Sequence, residues 1–180
     1  MNLITHRLLL RELTWNDVAD IHRLHRYPEV AQFNTLDIPK NQRVTREVMR
    51  ATIEDATEAN RTHYGWTIRT ADKQQFLGEA GLNLSPPRHR RGEIFYKLLP
   101  EHWGQGYATE VARALVRFGF GPLKLHRIEA GVASENHASV RVLEKVGMTR
   151  EGVGRKILLT PAGWRDNYRY AILEDDLSAS

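Results

Sequence analysis

The sequence predicts a mixed α/β (α+β) fold built as one domain over residues 1–180. Three observations lead there. Short apolar stretches bounded by Gly, Pro, Asn or Asp recur along the chain and read as strands. Four segments carry apolar residues at helical spacing on an otherwise polar background. No internal repeat or low-complexity linker divides the chain, whose length suits a single core.

The elements follow in order. Leu8, Leu10 and Leu13 make residues 6–13 a first strand. Thr14, with Asp17 three residues on, starts a helix carrying Val18, Ile21 and Leu24, which Pro28 closes. Val44, Val48, Met49, Ile53 and Ala56 give residues 42–59 an amphipathic helical pattern. Strands over 64–69 and 76–84 form a hairpin around Ala71-Asp72-Lys73-Gln74, and Pro86-Pro87 with Arg88-His89-Arg90-Arg91 marks a solvated loop. A strand over 93–99 ends at Pro100, and a helix over 107–120 presents Val111, Ala112, Leu115, Val116 and Phe118 before Gly121-Pro122. A strand over 126–133, a short helix over 137–146 stopped by Gly147, and strands near 148–159 and 167–173 complete seven strands and four helices.

Composition removes several classes of function. There is no cysteine, so disulfides, thiolate metal sites and a cysteine nucleophile are excluded, which suits a reducing cytoplasm. Hydrophobic residues at 41% and charged residues at 27% describe an ordinary globular chain. No apolar run reaches the roughly 18 residues that would span a bilayer, and Met1 to Arg7 lack the apolar stretch of a secretory signal. A cytoplasmic protein without a membrane partner is expected. The net charge of +4 accommodates an anionic ligand, but the basic residues are scattered and no nucleic-acid motif accompanies them. The eight histidines form no metal set; His22 and His25 share a helix without a third ligand, while His102 and His126 fall near the chemistry.

Two segments carry that chemistry. Trp103-Gly104-Gln105-Gly106-Tyr107-Ala108-Thr109 lies between a strand end and a helix start. Backbone N–H groups there lack intrahelical partners, the helix dipole adds partial positive charge, and a phosphate is the natural occupant. The Walker pattern is absent, and Thr109 stands where the dinucleotide fingerprint needs its third glycine. The second segment runs from Glu135 to Met148 and opens with Asn136, a residue type that caps helices.

Together these segments resemble the GNAT superfamily of acyl-CoA-dependent N-acyltransferases, and in detail its RimJ/RimL-like branch. Trp-Gly-x-Gly-Tyr-Ala-Thr-Glu, the Asn136-x-x-Ser139 pair, the opening Thr5-His6-Arg7-Leu8 and the closing Trp164-Arg165-Asp166-Asn167-Tyr168 carry the likeness along the whole chain. The resemblance implies a central sheet of about seven strands, splayed between the fourth and fifth, with acetyl-CoA in the opening. It assigns the pyrophosphate to Trp103, Gly104, Gln105, Gly106, Tyr107, Ala108 and Thr109, and the pantetheine arm to backbone groups of Leu98 and Leu99 and to Asn136. It implies transfer of an acetyl group to a primary amine, either a protein N-terminus or a small molecule. Glu93 is the first candidate base and Glu129 the second.

Many family members carry a tyrosine seven residues after the asparagine, whereas this chain has Leu143. Ser139 is then the hydroxyl left to hydrogen-bond the leaving thiolate. Ile157-Leu158-Leu159 replaces a region where some RimL relatives place a glutamate. A non-catalytic acyl-CoA sensor is the alternative function, and a homodimer follows from the branch. The loops over 26–40 and 85–92 are expected to shape acceptor choice.

Overall fold

The computed structural model describes the backbone of residues 1–179 and the side chains of residues 1–176. In chain order the elements are β1 Leu3–Ile4, β2 Leu8–Glu12, α1 Val18–His25, α2 Pro28–Ala31, α3 Gln42–Asp55, β3 His63–Thr70, β4 Phe76–Leu84, β5 Arg91–Leu98, α4 Tyr107–Phe120, β6 Arg127–Ala133, α5 His137–Val146, β7 Thr149–Thr160 and β8 Gly163–Leu173. All eight strands join one sheet in the order β1-β2-β3-β4-β5-β6-β8-β7. Every pairing is antiparallel except β5 with β6.

That parallel pairing is short. It joins only Arg91, Gly92 and Glu93 to Arg127, Ile128 and Glu129. Beyond it, β5 stays paired with β4 as far as Leu98, and β6 stays paired with β8 as far as Ala133. The sheet is therefore splayed between β5 and β6, the fourth and fifth strands expected from sequence.

Side-chain alternation divides the core between two faces. On one face Leu8, Leu10, Trp66, Ile68, Leu82, Ile94 and Leu98 pack with Val111, Ala112, Leu115 and Phe118 of α4. On the other, a smaller core joins Leu13, Phe76 and Leu99 to Val18, Ile21 and Leu24 of α1 and Met49 of α3. The apolar stripe predicted for α4 is buried as expected.

Three sequence expectations change. Pro28 does not close α1, which ends at His25; it occupies the first turn of the four-residue α2, where its fixed φ and missing N–H are harmless. A two-residue strand, β1, pairs with β2 and is too short to show a period. The last two strands form one long hairpin whose second arm begins at Gly163 rather than at 167, because Thr160 pairs with Gly163 across the two-residue turn.

Candidate active site

The splay opens a cleft of about 740 Å³ that passes through the plane of the sheet. Alternate residues of β5 line it from opposite faces. Glu93, Phe95 and Lys97 point toward the α1 side, while Tyr96 and Leu98 point toward α4 and α5. Residues 29, 30 and 33–35 roof the first side. The start of α4 and the start of α5 wall the second.

The loop before α4 is shaped for an anion. Gly106 is the N-cap, with φ +81°, and Gly104 has φ +74°; both lie in the left-handed region that favours glycine. No side chain caps the helix, so its first N–H groups keep their hydrogen-bonding capacity. A Cβ on Gly104 would meet open space. The loop is held from outside. Arg7 donates from Nη1 to Gln105 O at 3.0 Å and from Nε to Glu110 Oε2 at 2.7 Å. Its guanidinium lies 4.5 Å from the Tyr107 ring centroid. Thr5 Oγ1 donates to Glu110 Oε1 at 2.6 Å, and Arg7 N donates to the same oxygen at 2.9 Å. Burial raises the Glu110 pKa, but these donors outweigh it and hold the carboxyl below its ordinary range.

At the end of β5 the two leucines part. Leu99 N donates to Leu77 O at 2.8 Å and its side chain is buried in the smaller core, so Leu99 sits off the cleft. Leu98 has the opposite orientation, and its carbonyl accepts from Trp103 Nε1 at 2.8 Å. The reason is strand alternation: two successive residues cannot both face the same opening.

Asn136 caps α5, with Oδ1 accepting from Ser139 N at 3.2 Å. The cap uses Oδ1 alone, and Asn136 is one of the residues lining the cleft. Leu143 is buried along the cleft, so the position seven residues after Asn136 offers an apolar side chain and no hydroxyl.

Glu93 is open to the cleft and has no ion-pair partner among the described residues. Surrounding protein, and secondarily the Glu129 carboxylate, push its pKa up, while the Gly131 backbone N–H opposes the shift. Glu129 differs. Arg127 Nε donates to it at 2.7 Å and Arg91 stands 4.0 Å away, so it is a charge-paired strand residue.

Lys97 belongs to a cluster that sequence reading missed. Glu79 Oε1 accepts from Lys97 Nζ at 2.9 Å and lies 2.6 Å from His25 Nε2, with His25 and Glu79 both buried. Burial works to raise the Glu79 pKa, but Lys97 and then His25 overcome it and hold the carboxyl far below its usual range. Residues from α1, β4 and β5 meet here, and no local motif announces them.

Other expectations resolve by position. The loop over 85–92 does not line the cleft: His126 N donates to Arg90 O, which ties that loop to the closed end of the β5–β6 pair. His126 sits there too, 3.1 Å from Glu174 Oε1. His102 lines the cleft, and so does Leu158 from the hairpin. Tyr96 lines it as well, although nothing singled it out in sequence. Among the described residues there is no cluster of three metal-ligating side chains, and no helix is long and apolar enough to cross a membrane.

Both the sequence and the fold of this chain resemble those of known proteins. Residues 7–149 match the model of the acetyltransferase (GNAT) domain. The chain is 32% identical over 172 residues to the uncharacterized N-acetyltransferase YoaA of Bacillus subtilis, covering 96% of each. A spermidine N-acetyltransferase of Vibrio cholerae, solved with CoA and spermine, superposes with a TM-score of 0.84 at 24% identity, covering 96% of this chain and 98% of that one. The ribosomal L7/L12 acetyltransferase RimL, solved with coenzyme A, superposes at 0.85 with 21% identity, covering 98% and 99%; at the identities of these two structures the likeness is one of fold. The chain belongs to the GNAT acetyltransferase family and is an acyl-CoA-dependent N-acetyltransferase.

Proposed function

We propose that this enzyme transfers an acetyl group from acetyl-CoA to a primary amine by direct attack within a ternary complex. The observation that carries the reading is the cleft that crosses the sheet, with an anion-shaped loop on one face and an unpaired carboxylate on the other.

The N–H groups from Gly104 to Thr109 take the pyrophosphate, with Trp103 beside them. The open edge of β5 at Leu98 and the side-chain amide of Asn136 take the pantetheine amides, in the manner of an added strand. Leu99 is left out of this set, because its amide is spent on β4. The amine enters from the α1 side, where Glu29 and Glu93 line the wall. Glu93, with its raised proton affinity, accepts the amine proton as nitrogen attacks the thioester carbon. Ser139 hydrogen-bonds the departing sulfur. The acceptor is a protein N-terminal amine or a small-molecule amine, and the carboxylates favour one carrying positive charge.

We also place the enzyme in the cytoplasm as a homodimer. The Cys-free composition supports the first, and exposed Val153, Ile157, Leu159 and Trp164 on the β7–β8 hairpin support the second. Calorimetric titration with acetyl-CoA, followed by thiol release in the presence of amines and N-terminal peptides, tests the central reading. Binding with amine-dependent release is expected. Binding without release for every amine favours an acyl-CoA sensor, and the absence of binding overturns the assignment.

A further inference from the structure

Tyr96 presents a chemical feature that the reading above does not use. Its hydroxyl oxygen is buried and, among the described residues, makes no hydrogen bond of good geometry, the nearby Ser139 hydroxyl being its one polar neighbour of consequence, and the side chain lines the cleft at the splay. An unpaired buried hydroxyl carries a desolvation cost. Ser139 of α5 faces it from the opposite wall, and the influence of its hydroxyl is felt at the phenol. Two hydroxyl groups thus converge from β5 and α5 on the space between the strands, one turn along α5 from buried Leu143.

We propose that Tyr96 is a further catalytic residue, donating its hydroxyl hydrogen bond to the thioester sulfur and sharing with Ser139 the stabilisation of the leaving thiolate. The inference rests on the acetyl-CoA reading and deepens it. The phenol comes from the strand wall, where Leu143 on the helix supplies none. As the amine lone pair forms the C–N bond, the C–S bond breaks and its electrons stay on sulfur. The ammonium proton passes to the Glu93 carboxylate. The thiolate departs held by two O–H donors and takes its proton from solvent on release. Tyr96 itself does not ionise: burial pushes its phenol well above the ordinary range, with the Ser139 hydroxyl only partly opposing, so it remains a donor at physiological pH.

The test reads the thiol of bound CoA, which requires no acceptor. Ultraviolet titration of the thiolate in the CoA complex should place the bound thiol about one unit below the ~8.5 of a free thiol. Tyr96→Phe should return a substantial part of that shift and lower kcat by roughly 10- to 100-fold, with the acetyl-CoA Kd little altered. 3-Fluorotyrosine in place of Tyr96 keeps the ring and hydroxyl and strengthens the donor, so it should lower the bound thiol further. That substitution decides the matter if the phenylalanine variant does not fold. An unchanged thiol titration in either variant overturns the role of Tyr96 and leaves the acetyl-CoA reading intact. Failure of the wild-type protein to bind CoA overturns both.

Discussion

Arg7 and Glu110 lie 103 positions apart in sequence and are joined by a 2.7 Å hydrogen bond from Nε to Oε2. Through it the segment before β2 grips the first turn of α4, and the same guanidinium holds the Gln105 carbonyl. Glu110→Ala removes the acceptor for Thr5, for the Arg7 amide and for the Arg7 side chain at once. The expected destabilisation is about 1–2 kcal/mol. Acetyl-CoA should bind several-fold more weakly, because the loop must then be ordered on binding. Thermal melts and calorimetry check the two effects separately.

The two loop glycines should respond differently. Gly104→Ala and Gly106→Ala each place a side chain at positive φ, a strain of about 1–2 kcal/mol. Space around Gly104 is open, whereas a Cβ on Gly106 would make ordinary contact with Arg7 Nη2 at 3.5 Å. Gly106 is the helix N-cap, so branched bulk there stands against the backbone N–H groups that take the pyrophosphate, and Gly106→Val should weaken acetyl-CoA binding by at least about tenfold, or 1.4 kcal/mol. It should also lower the melting temperature, a cost visible only once the dihedral angle is known. Equal affinities for wild type and Gly106→Val would remove the anion loop from the binding site.

Glu93→Gln should cut kcat/KM by about 100-fold, the usual worth of a positioned base. For wild type, the rate should fall as pH drops through a pKa above the ordinary carboxylate range of about 4.3, since only the ionised form accepts a proton. The stability effect has the opposite sense. A carboxyl whose folded pKa is raised penalises the native state once pH exceeds that value. Glu93→Gln should therefore match or exceed wild type in melting temperature at neutral pH. A variant both inactive and unstable would assign Glu93 a structural role.

Glu79 carries the reverse linkage. Its depressed pKa contributes stability that is complete above the ordinary carboxylate range and is lost as pH falls through the lower folded value. Glu79→Ala leaves Lys97 and His25 without their anion in a buried setting, with an expected loss of about 3 kcal/mol or more. Denaturant melts at neutral and acid pH should show the gap between variant and wild type narrowing on the acid side.

What was legible in the sequence was local. The α4 stripe, the glycine loop and the Asn136 cap each announce themselves within a few residues, because helix ends need particular residue types. Three-dimensional partnership was not legible. Tyr96 shares its strand face with Ile94 and Leu98 and so reads as one more core residue; only the splay shows that its hydroxyl is buried beside the cleft. The Glu79–Lys97–His25 cluster joins three elements, and Arg7 reaches a loop almost a hundred residues away. Leu98 and Leu99 were separable in principle, since alternation forbids both from facing one opening. Phe95 is a similar case: its ring lies over Gly81, where an added Cβ would approach to 2.3 Å, so a glycine one strand away fixes a cleft wall.

The three residue pairs that tie β5 to β6 also make the two halves of the sheet unequal in time. Past Glu93, the amides of Tyr96 and Leu98 face a slot instead of a neighbouring strand. Their protons should exchange with deuterated solvent far faster than those of Glu79 or Leu82 on the adjoining strand. An acyl-CoA arm seated in the slot would slow that exchange and raise the melting temperature together, because it binds only the folded chain. The enzyme's cohesion would then track its supply of acyl donor, so that the protein is most durable when it has material to transfer.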